Sequence, residues 1–111
     1  LAQDPAAYRA LAAMAPATIE VTARRVADAN EQVIEARLHN PGRQPALMVR
    51  LSPRDAAGKR VLPAYASDNY VALLPGETRT ITIRSPMNGP AAQSIAVQGW
   101  NVGATASTVM P

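Results

Sequence analysis

The chain has 111 residues, no cysteine, and 11 basic against 8 acidic side chains, a net charge of +3. That is room for one domain and too little for two cores, and the missing thiols exclude a disulfide framework and any thiolate site. The positive charge is almost all arginine, scattered singly apart from Arg24-Arg25 and Lys59-Arg60 and with no aromatics interleaved, which argues against a nucleic-acid partner.

Residues 1–16 read as an interdomain linker with a short helix. Asp4 can cap, Pro5 suits the first helical position, and Tyr8, Leu11 and Met14 form one apolar stripe before Ala15-Pro16 ends it. Asp4, Pro5 and Arg9 break any signal-peptide core, and no run approaches the roughly 18 apolar residues of a membrane span, so no membrane partner is expected. The first residue is Leu1 rather than Met, which reads as a processed or excised piece of a longer protein.

From residue 17 to 111 the period is two. Thr18 to Arg24 alternates Ile19, Val21 and Ala23 with polar residues, the pattern of a strand with one wet face. Ala27 to Asn30 is a turn. Gln32 to Asn40 follows, with Ile34, Ala36 and Leu38 on one side and Glu35, Arg37 and His39 on the other. Asn40-Pro41-Gly42 has strong turn chemistry. Ala46 to Leu51 predicts a third strand with Leu47, Val49 and Leu51 inward and Met48 and Arg50 outward. Arg60 to Tyr65 is a short irregular strand, held to an edge or a bend by Pro63.

The chain is organised around the next stretch. Asn69 to Leu73 and the alternating Thr78 to Ser85 flank Leu74-Pro75-Gly76-Glu77, where Pro presets φ and Gly accepts the positive φ of a type II turn. Ser94 to Val102 is the last long strand, and the small polar tail from Gly103 to Pro111 is expected to fray. About seven strands with turns and no helix between them predict an all-β, immunoglobulin-like antiparallel sandwich, its core built from Val, Ile, Leu and Ala.

Chemistry is scarce. The acids Asp4, Glu20, Asp28, Glu31, Glu35, Asp55, Asp68 and Glu77 fall on outward strand positions or in turns, with no pairing in their order of the kind acid–base work needs. His39 is the lone histidine, so neither a catalytic triad nor an ordinary transition-metal set is expected. No glycine run makes a phosphate loop. Tyr65, Tyr70 and Trp100 remain as candidates for a sugar-stacking platform, against the commoner use of such residues in core or rim packing.

Several motifs occur in a telling order: Asn40-Pro41, Val49 to Ser52, Val61-Leu62-Pro63, Ser67-Asp68-Asn69-Tyr70, Leu73-Leu74-Pro75-Gly76-Glu77, Thr80-Ile81-Thr82-Ile83 and Gly99-Trp100-Asn101-Val102. With these, nearly the whole chain resembles the C-terminal immunoglobulin-like domain of glycoside hydrolase family two enzymes, especially exo-β-D-glucosaminidases and their β-mannosidase relatives. The resemblance implies a parent enzyme of several β-sandwich domains around a (β/α)-barrel. In such enzymes two barrel glutamates act as acid/base and nucleophile in a retaining mechanism. No position here matches those motifs, so no catalytic residue, cofactor or metal carries over. The implied role is a non-catalytic accessory domain. Its partners would be the other domains of the same parent chain and, through the aromatics, a polysaccharide substrate, in the periplasm or outside the cell. Two other readings stand beside it: an independent carbohydrate-binding module, which needs at least two coplanar aromatic faces in solvent, and a generic protein-interaction sandwich. A pure scaffold is expected to bury Trp100.

Overall fold

Eight strands and no helix make up the computed structural model, which describes residues 15–111. The helix expected in the 1–16 linker therefore lies outside the described residues. The strands are β1 (Glu20–Val26), β2 (Glu31–His39), β3 (Ala46–Arg54), β4 (Tyr65–Ala66), β5 (Val71–Leu73), β6 (Thr78–Pro86), β7 (Ser94–Gln98) and β8 (Thr105–Met110).

They form one sheet in the order β4-β6-β2-β1-β8-β7-β3-β5, curled so that its two halves share one core. Every pairing is antiparallel except the central one, where Ala23 and Arg24 of β1 lie parallel to Val109 and Met110 of β8. The first half, β4-β6-β2-β1, is regular. β2 pairs with β6 without interruption from Glu31↔Pro86 to His39↔Thr78. Its inward row contributes Ala23, Ile34, Ala36, Leu38, Ile81 and Ile83, all buried. From the second half come Val49, Leu73, Ile95 and Val97, which complete an aliphatic core. Full burial of one such side chain favours folding by about 1.5–3 kcal/mol.

Three expectations need correction. The tail from Gly103 does not fray: β8 is a strand paired on both sides, with β7 from Ser94↔Thr108 to Val97↔Thr105 and with β1 at its end, so the described residues hold eight strands where about seven were expected. The irregular strand at Arg60–Tyr65 reduces to a single bridge, Arg54↔Arg60, and the two-residue β4, with the Leu62–Pro63 peptide cis between them. Leu47 is only half-buried, because β3 carries an extra residue there. Ala46 faces Leu73 and Val49 faces Val71, with Met48 at φ 52° between them, so Ala46 rather than Leu47 shares the inward row.

The turn chemistry read from the sequence holds at Leu74–Glu77. Gly76 has φ 78°, and the Glu77 amide donates to the Leu74 carbonyl at 2.9 Å.

Candidate functional site

The three aromatics proposed as a platform stand on different elements. Tyr65 begins the edge strand β4 and is 68% exposed, Tyr70 precedes β5 and is 55% exposed, and Trp100 lies in the β7–β8 connection at 43%. Trp100 is thus not buried, contrary to what a pure scaffold would require. Tyr70, with φ 55°, lines a cleft on the outer face of β3, whose walls include neither Tyr65 nor Trp100.

The sequence motifs, by contrast, hold the fold together. Asn40 is wholly buried; its amide donates to the carbonyls of Gln44 (2.7 Å) and Leu73 (3.0 Å) and its oxygen accepts from the Gly42 amide. Its backbone carbonyl accepts from Gly76, and its amide donates to Glu77. The Asn-Pro-Gly and Leu-Pro-Gly-Glu turns are therefore one unit closing one end of the molecule. Asn101 works likewise at the β7–β8 connection. Its oxygen accepts from the Leu47 amide (2.9 Å), and its amide donates to the carbonyls of Pro45 (2.7 Å) and Ala15 (3.1 Å). Gly99 sits against the same bulge. A Cβ there would lie 2.8 Å from the Leu47 carbonyl oxygen and 3.3 Å from the Val49 Cα. The residue preceding Trp100 must be small for the connection to lie on β3.

The carboxylates are dispersed. On the first half, Glu35 pairs with Arg24 (3.1 Å), Glu31 with Arg84 (3.5 Å) and Glu77 with Arg79 (3.1 Å), while Glu20 lies 4.0 Å from His39. Asp28 accepts from the amides of Asn30 and Glu31, and these two bonds hold its carboxyl below the usual range. The carboxyl of Glu77 is lowered chiefly by the Leu74 amide and further by Arg79. Asp55 closes the β3 turn by accepting from Ala57 and Lys59. Among the described residues, no three His, Cys, Asp or Glu side chains gather where they could hold a metal ion.

The cleft beside Tyr70 was not foreseen. It has a volume of about 250 Å³ and is bounded by Arg50, Ser52, Arg54 and Arg60, with Asn69 and Gln98 at its sides. Period-2 spacing was the available signal, since residues 50, 52 and 54 share one face of β3. Arg60 reaches them only because the Asp55–Gly58 turn folds it back onto Arg54.

Geometry of this kind describes an architecture, and comparison with known proteins decides the lineage. The model of a family described as "Exo-beta-D-glucosaminidase Ig-fold domain" matches residues 1–102. The chain belongs to this Ig-fold family.

Among relatives of this Ig-fold domain is an exo-β-D-glucosaminidase of Streptomyces avermitilis, 34% identical over 109 residues, a match covering 93% of this chain and 12% of the relative. A mannosylglycoprotein endo-β-mannosidase of Lilium longiflorum is 40% identical over 42 residues, covering 38% of this chain and 4% of the relative. The crystal structure of the Amycolatopsis orientalis exo-chitosanase CsxA superposes with a TM-score of 0.80 at 34% identity, covering 89% of this chain and 12% of that one. The chain thus spans about 12% of the length of the glucosaminidase it matches over nearly all its residues.

Proposed function

We propose that this Ig-fold domain is a non-catalytic accessory module of a larger polysaccharide-degrading glycosidase with a retaining mechanism, exported from the cytoplasm. In this reading it packs on the catalytic barrel and neighbouring domains. One observation carries it: nearly the whole chain aligns with a small fraction of an exo-β-D-glucosaminidase, while its own carboxylates are dispersed over turns and ion pairs. The barrel supplies the two catalytic carboxylates, and this domain supplies surface.

The test is turnover of a nitrophenyl β-D-glucosaminide by the purified 111-residue chain. No release of nitrophenol is expected. Hydrolysis that survives further purification would refute the accessory reading.

Exposure of Tyr65, Tyr70 and Trp100 favours a second reading, direct contact with a sugar chain. Dispersal of the three over separate elements weighs against one stacking platform. The arginines weigh against a glucosamine polymer, whose ammonium groups they repel. Titration with chitosan oligosaccharides is expected to produce no shift in Trp100 fluorescence; binding abolished by Trp100→Ala would move the assignment to a carbohydrate-binding module.

A further inference from the structure

We propose that the outer face of β3 is a carboxylate-docking site, in which Arg50, Arg54 and Arg60 receive aspartate or glutamate side chains presented by another domain of the parent chain. This rests on the reading of the chain as one domain of a larger glycosidase.

Three observations converge on it. First, the charge of this face is uncompensated. None of the four strands of the second half, β8, β7, β3 or β5, contains an acidic residue, and Arg50, Arg54 and Arg60 form no ion pair among the described residues. The nearest acid in sequence, Asp55, has its carboxylate turned to the backbone amides of Ala57 and Lys59. On the first half arginines 24, 79 and 84 each meet a glutamate, and Arg37 stands singly, whereas the three cleft arginines are gathered on one wall.

Second, the fold sets like charges together. Arg54 and Arg60 are directly opposed across an antiparallel bridge, an arrangement that repels unless an anion lies between them. Arg50 shares the same outward row two positions beyond Ser52. Its guanidinium donates to the Gln98 side-chain oxygen when that amide is turned towards it, which orients the group without neutralising it. Arg54 is held in a similar way by the Gly58 carbonyl (3.3 Å).

Third, the face is concave. A volume of about 250 Å³ admits one or two carboxylate side chains and not a folded segment. Ser52, whose buried hydroxyl has no hydrogen-bond partner among the described residues, lies on its wall, as does Tyr70 in its left-handed backbone conformation. Guanidinium forks pair with carboxylates through two parallel hydrogen bonds, which gives direction as well as attraction. A cationic sugar polymer is repelled by the same three groups, so the complementary chemistry is an acidic polypeptide edge. If the parent has the proportions of its glucosaminidase relative, about 88% of its chain is available to provide one (100% less the 12% matched).

The experiment uses the full-length parent protein. Arg54→Lys and Arg60→Lys each place a primary amine in the cleft, and Arg37→Lys places one on the outer face of the first half. Each variant is treated with a zero-length carbodiimide, which joins amines only to carboxylates in contact, and the products are mapped by mass spectrometry. The cleft variants are expected to couple to Asp or Glu outside residues 1–111, and the Arg37 variant is not. Coupling from the cleft solely to residues within 1–111, or none from it, overturns the proposal. External coupling from the Arg37 variant alone would overturn the cleft and leave the accessory reading intact. If none of the three couples and protease releases the domain from an enzyme of unchanged activity, both readings fall. As a check that needs no cross-link, Arg54→Glu with Arg60→Glu is expected to speed proteolytic release of the domain about tenfold relative to Arg37→Glu at low salt. Equal rates would count against the cleft.

Discussion

The two halves of the curled sheet solve the same packing problem with different surfaces. In β4-β6-β2-β1, the long β2–β6 pairing is unbroken, the inward row is mostly aliphatic, and arginines 24, 79 and 84 each meet a glutamate, while Arg37 on the outer face meets none among the described residues. In β8-β7-β3-β5, the inward row is equally apolar. The path is broken by the bulge at Met48 and the close approach of Gly99, and the outer face carries arginine with no acid on any strand. The first half thus neutralises most of its own charge, while the second leaves its strand arginines without an acid among the described residues.

The comparison is tested most severely in the core both halves share. Leu38→Ala, on the regular side, removes a wholly buried side chain and is expected to cost about 2–5 kcal/mol; a denaturation midpoint lowered at unchanged slope is the measurement. Next is Gly99→Ala. The added methyl meets backbone atoms of β3 at 2.8 and 3.3 Å, and neither can swing aside as a side chain could. A loss of about 1–3 kcal/mol is expected, and a crystal structure should show β3 displaced at Leu47. A neutral result would mean that the irregular half yields more readily than its geometry implies. Asn101→Ala deletes the bonds to Leu47, Pro45 and Ala15 and is expected to cost about 1 kcal/mol, since water can reach the freed groups. Faster amide exchange confined to Leu47 and the β7–β8 connection would confirm a local latch.

The smallest effect concerns acid. Asp28 and Glu77 have folded-state carboxyls below their ordinary values of 3.8 and 4.5, so the unfolded chain takes up protons first as the pH drops. Their stabilisation is therefore complete above the ordinary values and lost progressively as pH falls through them to the lowered ones. Asp28→Asn combined with Glu77→Gln should flatten the fall in Tm between about pH 6 and pH 3. An unchanged slope would place the acid sensitivity elsewhere.

Much of the regular half could be read directly. β2 and β6 alternate so cleanly that their inward residues and near-complete boundaries follow from period two alone, and Pro75-Gly76 declares its turn. The irregular half resisted for physical reasons. In β8, Thr105-Ala106-Ser107-Thr108-Val109-Met110 buries only Val109, so there was no apolar period to find; the segment is a strand because β7 and β1 offer it hydrogen bonds. The bulge that moves Leu47 out of the inward row is set by Gly99 and Asn101, more than fifty residues away by the spacing of the Leu47–Asn101 bond, 54. The arginine cleft escaped notice because Arg60 reaches Arg54 only through a turn. The words that carried the family resemblance, Asn-Pro-Gly, Leu-Pro-Gly-Glu and Gly-Trp-Asn, are fastenings, and the aromatics weighed as a platform stand in separate places.

The order of strands has one more consequence. The sheet ends at β4 and β5, which at two and three residues are the shortest of the eight, while every long strand has a neighbour on both sides. These caps are narrow, however: β4 pairs only with Ile83 and Arg84 of the nine-residue β6, and β5 only with Ala46 and Val49 of the nine-residue β3. Crowded beside identical copies, the domain therefore depends on two very short strands to blunt the ends of a ribbon whose interior is rich in valine and isoleucine.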